Sequence, residues 1–264
     1  MGCKWSAQEE AEYQKELFDL YVTKNITIKE IGVSLGTAEQ TIYKRLKRLN
    51  IPTQPEKKKN YRNQRHDVVL PTKKSDELAE FFGIMLGDGK LAPYQVIVTL
   101  GTKEHAYAKH VSQLIKTIFA VTPKIGIRKT GYTDVYFGSV LASRWLRKEG
   151  LVYNKVLSQV DIPDWIFTKK SYMISFLRGF FDTDGSIYLL KFGIQISLTN
   201  YSLPLLSSLQ KMLQILRYTP SAISSHKVYI TKIPEIRRFF QEIQPANPKH
   251  QRRYEEFLNI ASIG

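Results

Sequence analysis

The stretch FFGIMLGDG, residues 81–89, places an aspartate between two glycines directly after a run of apolar side chains. A second stretch, FLRGFFDTDG at residues 176–185, repeats this arrangement of glycine, apolar residues and aspartate. Asp184 in the second copy lies 96 residues after Asp88 in the first. The repetition predicts two equivalent buried helices, each ending at an acidic residue.

Small residues recur on one face of each predicted helix. They stand four positions apart, at Gly83 and Gly87 and at Gly179 and Thr183. A glycine inside a helix costs about 1 kcal/mol relative to alanine, so these glycines need a compensating role. Small residues at this spacing allow two helix backbones to approach closely. We therefore expect the two helices to form an interface with each other across a pseudo-twofold axis.

One structural plan is written twice in the chain, at residues 76–170 and 171–264. In each copy the periodicity predicts a helix, two strands, a helix, a hairpin and a closing helix. The predicted hairpins span residues 124–138 and 221–231. The expected fold class is α+β, with two pseudo-symmetric αββαββα repeats that form a pseudo-dimer within one chain.

Close packing of the two helices brings Asp88 and Asp184 together. Each carboxylate would lie at the negative end of a helix dipole and face a like charge, and both effects are unfavourable. Bound cations reverse the sign of both effects. Hard oxygen ligands in such small number suit Mg²⁺, which keeps several waters and takes further ligands from substrate phosphates. We expect two or more divalent cations here; the alternative is a solvated aspartate before a turn-forming glycine.

Residues 1–54 predict a small all-α domain. A helix is expected at residues 7–23, and two shorter helices are expected to begin near residues 28 and 38. Each short helix follows a capping-box pattern, Thr27 with Glu30 and Thr37 with Gln40. With Gly36 at the turn between them, the pattern is that of a helix-turn-helix domain.

The second short helix is expected to enter a DNA major groove. Its outward face carries Gln40, Tyr43, Lys44 and Lys47. Residues 55–75 are interpreted as a basic linker, in which Lys57, Lys58 and Lys59 are expected to contact DNA. The alternative is a helical bundle with a solvated basic face.

Composition narrows the class of partner. The 264 residues include 39 Lys and Arg against 24 Asp and Glu, a formal charge of +15, and 43% are apolar. This balance favours a folded protein that binds a polyanion such as nucleic acid. No apolar run reaches the roughly 18 residues of a membrane span, and the N-terminus lacks a signal-peptide core. A soluble intracellular location, in the cytoplasm, the nucleoid or an organelle matrix, is expected.

The motif pair resembles the two signature helices of single-chain LAGLIDADG homing endonucleases, and the resemblance covers roughly residues 76–260. It implies a monomeric enzyme that cuts double-stranded DNA at a specific site, with a saddle of two sheets on the duplex. It implies that Asp88 and Asp184 bind the divalent cations and that Lys155 and Lys249 act in catalysis. The alternative on the same fold is a non-cleaving DNA-binding regulator or an intron-splicing maturase.

Two positions depart from the family pattern. Leu86 stands where the name sequence of the family has an acid. The glutamine that members often carry near the end of the second strand is replaced by Leu100 or Gly101 in the first repeat. In the second repeat its place is taken by Thr199 or Asn200.

Alternating strand residues predict the surface that faces DNA. Polar residues Gln195, Ser197 and Thr199 alternate with Ile194, Ile196 and Leu198, and Lys124 and Arg128 alternate with Ile125 and Ile127. The apolar face is expected in the core. The polar face, together with Lys227, is expected on the duplex, with a solvated surface as the alternative.

Overall fold

The structure is a computed structural model that describes residues 7–24, 26–51, 67–190 and 193–261. The chain divides into two compact units, Met1–Arg62 and Asn63–Gly264. Each unit has its own apolar core. The predicted linker, residues 55–75, falls largely outside the described residues, and Lys57, Lys58 and Lys59 lie outside them entirely.

The N-terminal unit is helical. Its elements are α1 (Ala7–Phe18), which continues as a π-helical turn at Asp19–Thr23, α2 (Ile28–Ser34) and α3 (Glu39–Arg48). The fully buried side chains Leu17, Ile31, Ile42 and Leu46 hold the helices together. The predicted helix-turn-helix order is therefore present in this unit.

One of the two predicted capping boxes is confirmed. The Glu30 backbone N–H donates to Thr27 Oγ1 at 3.2 Å, and Glu30 Oε2 accepts from the Thr27 N–H at 3.0 Å. The second prediction is wrong, because α3 begins after Ala38 without a side-chain cap. Thr37 belongs to the turn instead, where its hydroxyl donates to Leu35 O at 2.9 Å.

The larger unit contains two copies of a helix-and-sheet plan. The first copy comprises α4 (Asp76–Leu86), β1 (Gly89–Ala92), β2 (Gln95–Leu100), α5 (His105–Phe119), β3 (Lys124–Ile127), β4 (Thr133–Gly138) and α6 (Val140–Lys148). A 3₁₀ helix at Asp164–Thr168 leads to the second copy. That copy comprises α7 (Lys170–Asp184), β5 (Gly185–Leu190), β6 (Gly193–Thr199), α8 (Leu203–Ile215), β7 (Lys227–Ile230), α9 (Ile233–Glu242) and α10 (Pro248–Ala261).

The two sheets confirm the α+β class but differ in size. Among the described residues the first sheet has strand order β1-β2-β4-β3 and the second has order β5-β6-β7, all antiparallel. The predicted hairpin at residues 221–231 keeps one strand, β7. Pro220 has no N–H for a ladder, and Ser221 Oγ accepts from the Tyr229 N–H at 3.0 Å in place of a backbone carbonyl.

The paired helices α4 and α7 form the centre of the larger core. Phe81, Ile84, Phe176 and Phe180 are fully buried there. A methyl group at Gly83 would lie 2.7 Å from the Phe180 backbone N, and one at Gly179 would lie 3.0 Å from the Ile84 backbone N. Glycine is needed at these contacts because no side chain fits between the two backbones.

Candidate functional site

Asp88 and Asp184 meet at the C-terminal ends of the paired helices. Asp88 follows the C-cap residue Gly87 of α4, and Asp184 is the last residue of α7. A methyl group at Gly87 would lie 2.8 Å from Thr183 Cβ and 3.4 Å from Asp184 Cγ, so α4 ends against the second carboxylate. The helix contact predicted from the small residues thus delivers two acids to one place.

Both aspartates are hard to ionise where they lie. Burial, and after it the charge of Asp88, raises the pKa of Asp184 to about 7. Burial also raises the pKa of Asp88, although the charges of Lys249 and Lys155 oppose it. The site therefore holds two carboxylates whose negative charge the protein compensates only in part.

Lys155 lies at the end of the first motif helix. Its Nζ donates to Met85 O at 3.1 Å, to Leu86 O at 3.2 Å and to Gly87 O. These carbonyl groups form the negative end of the α4 dipole. Burial lowers the pKa of Lys155, while the charges of Asp184 and Asp88 partly restore it.

Lys249 has different surroundings. Its Nζ pairs with Glu104 Oε1 at 2.8 Å, and Asn247 Nδ2 donates to the same oxygen at 2.6 Å. The two lysines occupy equivalent places in the two repeats, but one binds helix carbonyls and the other binds a carboxylate.

The polar position near the end of the second strand also differs between the repeats. Asn200 Nδ2 donates to Asp184 Oδ2 at 3.0 Å, so Asn200 contacts the site in the second repeat. Gly89 pairs with Val98 and Gly185 pairs with Leu198, which makes Leu100 the counterpart of Asn200. Leu100 is buried and apolar, so the first repeat offers no amide there.

Three residues near the site were missed from the sequence. Glu104 immediately precedes α5. Asp182 lies in α7 two residues before Asp184, and Asn247 immediately precedes α10. Asp182 accepts from the backbone N–H groups of Ala246 at 2.9 Å and Asn247 at 3.1 Å. Burial raises the pKa of Asp182 to about 7. These contacts join residues more than 60 positions apart, so no local sequence pattern predicts them.

The residues predicted to read DNA in the N-terminal unit are presented to solvent. Gln40, Tyr43, Lys44 and Lys47 are exposed on α3. Lys47 Nζ lies 5.0 Å from the centroid of the Tyr43 ring. The exposed face of α3 is therefore polar, aromatic and basic, as the helix-turn-helix pattern indicated.

The sheet residues predicted to contact DNA include some that solvent can reach and one that is buried. Lys124 is exposed, and Gln195, Thr199 and Lys227 are half-buried. Ser197 is 0% exposed, so the prediction that it contacts DNA is wrong. It lies on the central strand β6, where its neighbours on β5 and β7 cover it.

Arg128 is not a free cation on the sheet. Its Nε donates to Asp134 Oδ2 at 2.7 Å and its Nη2 donates to Asp134 Oδ1 at 2.8 Å. The predicted core face of this strand is also wrong, since Ile125 is 49% exposed and Ile127 is 68% exposed. β3 is an edge strand, and Ile125 and Ile127 pair with β4 but keep their side chains open to solvent.

The donor set suits a hard divalent cation. Within the described ranges, no group of three or more His, Cys, Asp or Glu side chains is arranged to hold a metal ion. Asp88 and Asp184 are therefore a two-carboxylate site, and a cation there takes its remaining ligands from water or substrate. Burial raises the pKa of both acids although Lys155 and Lys249 oppose it, so a bound cation would favour their ionised forms. The residues present thus fit Mg²⁺ or a similar ion.

A family model decides the fold relationship. Residues 171–244 match the LAGLIDADG-like domain. The second repeat is a LAGLIDADG-like domain. The expected family resemblance is confirmed for this repeat.

Several solved structures resemble this chain in fold. I-DmoI in complex with DNA and Ca is 18% identical, with a TM-score of 0.49, covering 68% of this chain and 97% of that one. The LAGLIDADG meganuclease I-AabMI bound to uncleaved DNA is 12% identical, with a TM-score of 0.48 and coverages of 70% and 90%. Full-length DUF199/WhiA from Thermatoga maritima is 18% identical, with a TM-score of 0.47 and coverages of 74% and 62%.

Two curated proteins match by sequence. A DNA polymerase of Thermococcus hydrothermalis is 27% identical over 189 residues, which are 63% of this chain. A replication factor C small subunit of Methanocaldococcus jannaschii is 31% identical over 114 residues, which are 43% of this chain. The chain spans only 11% and 6% of the lengths of these relatives.

None of the described helices combines the length and apolarity needed to cross a membrane.

Proposed function

We propose that this protein is a homing endonuclease that cuts double-stranded DNA at a specific site with magnesium ions. The observation that carries the proposal is the meeting of Asp88 and Asp184 at the ends of two glycine-packed helices. A purely structural role does not account for two acids whose pKa burial raises, one of them raised further by the charge of the other.

Asp88 and Asp184 would hold the cations. When bound, such ions neutralise the phosphate, activate a water and stabilise the leaving oxygen. Asn200 fixes one oxygen of Asp184 through its hydrogen bond and leaves the other oxygen as a ligand. This hydrogen bond would hold the carboxylate in one orientation as substrate arrives.

The two lysines would place positive charge beside the reacting phosphate. Lys155 is held at the end of α4 by three carbonyl groups, close enough for the charges of both aspartates to act on it. Lys249 acts on Asp88 from the other repeat. A positioned cation of this kind stabilises the charge that develops during phosphodiester hydrolysis.

DNA binding would use the basic surfaces outside the site. A formal charge of +15 favours rapid encounter with a duplex and salt-dependent affinity. The exposed face of α3, with Gln40, Tyr43, Lys44 and Lys47, would contact one part of the target. Lys124, Gln195, Thr199 and Lys227 would contact another.

A plasmid library that carries random candidate sites tests the proposal. Incubation with MgCl₂ should linearise a selected set of plasmids, and EDTA should prevent it. Asp88→Asn and Asp184→Asn should bind the selected site but leave it intact, while the exposed Asp164→Asn serves as a matched control that still cuts. Cutting by both site variants at the wild-type rate would remove these residues from catalysis.

The same assay separates the non-cleaving alternative. A wild-type protein that selects a DNA site but leaves it uncut at every magnesium concentration would be a binding protein or a maturase on this fold.

A further inference from the structure

The carboxylate pair lies between two lysines that are held in unlike ways. Lys155 is fixed by the carbonyl groups of its own repeat, at the end of α4. Lys249 is fixed by Glu104, which belongs to the other repeat. Lys249 is also the charged neighbour that acts most strongly on Asp88, and it lowers the pKa that burial raises.

Glu104 is anchored firmly enough to position its partner. Its Oε1 accepts from Lys249 at 2.8 Å and from Asn247 Nδ2 at 2.6 Å, and its Oε2 accepts from the Gly101 backbone N–H at 2.5 Å. Burial alone would raise the pKa of Glu104, but the hydrogen bonds of Lys249 and Asn247 lower it below the ordinary value. Glu104 is therefore an ionised carboxylate whose two oxygens are both occupied.

Asn247 ties this cluster to the second motif helix. It is 1% exposed, and its backbone N–H donates to Asp182 Oδ1 at 3.1 Å. Its Nδ2 also donates to Asp182 O at 3.1 Å. The segment that carries Lys249 is thus held at one end by α7 and at the other by the carboxylate of Glu104.

The opposite half of the site has no such carboxylate. Glu104 is the N-cap residue of α5, and the N-cap residue of the equivalent helix α8 is Ser202. The loop after Lys155 is joined to this region by neutral contacts instead. Ser202 Oγ donates to Val160 O at 2.6 Å, and the Leu203 N–H donates to Gln159 Oε1 at 3.2 Å.

We propose that Glu104 is a positioning residue that holds Lys249 beside Asp88, so that the two DNA strands are cut at unequal rates. This inference rests on the proposed endonuclease function. A carboxylate fixed by three donors confines the Lys249 ammonium to one place, whereas an amide attracts it more weakly. Loss of the Glu104 charge therefore weakens the half of the site that uses Lys249 and leaves the Lys155 half unchanged.

The test is strand-specific nicking of a duplex that contains the site selected by the wild-type protein. Each strand carries its own 5′ label, and the two nicking rates are measured under single-turnover conditions in MgCl₂. Glu104→Gln should slow one strand about tenfold, the size expected for the loss of a hydrogen bond to a charged group. Lys249→Met should slow the same strand, and Lys155→Met should slow the other strand.

Two variants separate positioning from a general loss of structure. Glu256 is exposed and lines the same cavity of about 730 Å³ as Glu104, Lys249 and Arg253, so Glu256→Gln removes an equal charge nearby. It should leave both nicking rates unchanged. Glu104→Asp keeps the carboxylate and should recover part of the strand-specific rate. A fold defect would slow both strands together and would not respond to this rescue.

A second readout does not require cleavage. Brief acetylation of lysines, followed by mass spectrometry, should modify Lys249 faster in Glu104→Gln than in the wild type or in Glu256→Gln. Unchanged reactivity of Lys249 would contradict the proposal that Glu104 holds Lys249 in place. Equal slowing of both strands by Glu104→Gln would overturn the strand asymmetry while the endonuclease function stands. A wild-type protein that nicks neither strand of any site would instead refute the endonuclease function, and with it the strand asymmetry. In that case the acetylation rates would still test whether Glu104 holds Lys249 in place.

Discussion

Burial makes Asp88 and Asp184 hard to ionise, and the charge of Asp88 adds to this effect at Asp184. Asn200 donates one hydrogen bond to Asp184, and the lysines supply part of the missing positive charge. A site of this kind reduces stability in favour of function. This loss of folding stability should be measurable when the charge of one carboxylate is removed.

We predict that Asp184→Asn raises the melting temperature in EDTA at pH 8. The amide has the same shape but carries no charge, so the cost of burying the charge and its repulsion by Asp88 are both lost, with a gain of about 1–2 kcal/mol. Millimolar MgCl₂ should stabilise the wild type but not the variant. The exposed Asp164→Asn should melt like the wild type in both buffers, and an Asp184→Asn protein that melts below the wild type in EDTA would contradict the prediction.

His250 is a second buried polar group, and hydrogen bonds do not offset the free-energy cost of its burial. It is 2% exposed, its ring lies 4.3 Å from the centroid of Phe181, and neither ring nitrogen has a hydrogen-bond partner among the described residues. Burial, and next the charge of Lys249, lowers the pKa of His250 to about 3. Between pH 3 and about 6.5 the unfolded chain binds a proton that the folded protein does not. His250 therefore does not reduce the free energy of unfolding above about pH 6.5, and it reduces it progressively as the pH falls below that value.

We predict that His250→Leu removes this acid sensitivity. Urea unfolding should give similar free energies for the variant and the wild type at pH 7.5, and a variant more stable by about 2 kcal/mol at pH 5. The difference between the two proteins isolates His250 from the other groups that titrate. The exposed His105→Gln should follow the wild type, and parallel pH curves for His250→Leu and the wild type would show that His250 is protonated when folded.

At the scale of elements, the contact between α4 and α7 depends on glycine. A methyl group at Gly83 or Gly179 meets backbone atoms of the opposite helix, which cannot rotate away. We predict that Gly83→Ala and Gly179→Ala each lower the free energy of unfolding by about 2–4 kcal/mol. At Gly126 the nearest atom is a Tyr136 ring carbon at 3.5 Å, so Gly126→Ala should change it by less than about 0.5 kcal/mol. Equal effects at all three positions would contradict close helix packing.

The elements were largely predictable because their signals are local. Capping at Thr27, the motif helices and the strands at β1, β2, β4 and β6 follow periodicity and start signals. The errors came from tertiary context. Thr37 matched a capping box but its hydroxyl bonds to the preceding turn, and Ser197 alternated like a surface residue but lies under neighbouring strands.

The candidate site was predictable only where it repeats. Asp88 and Asp184 stand in duplicated motifs, and Lys155 and Lys249 follow equivalent helices. Thr199 or Asn200 was predicted for the polar position near Asp184, and Asn200 is the residue that contacts it. Glu104 and Asn247 were not predicted, because the other repeat has no equivalent contacts. Such residues are found from distances between parts of the chain that are remote in sequence.

At the scale of the whole molecule, the N-terminal unit and the larger unit have separate cores. Substitutions on the exposed face of α3 should therefore leave the core that carries the carboxylate site folded. We predict that Lys44→Ala with Lys47→Ala weakens DNA binding and lowers the salt dependence by about 0.9 for each lost phosphate contact. Cutting in magnesium at low salt should remain, also after deletion of residues 1–54.

Filter binding from 50 to 200 mM KCl measures this slope. Lys15→Ala, an exposed lysine on α1, is the matched control and should keep the wild-type slope. An unchanged slope in the double variant would show that α3 does not contact phosphates.

The proposed endonuclease function depends most on cations shared by the two helix ends. A crystal of the full chain with its selected duplex and Mn²⁺ would locate them by anomalous scattering. We predict manganese at about 2.0–2.6 Å from carboxylate oxygens of both Asp88 and Asp184, with a DNA phosphate completing the shell. Manganese bound elsewhere, with the duplex away from both acids, would contradict the account.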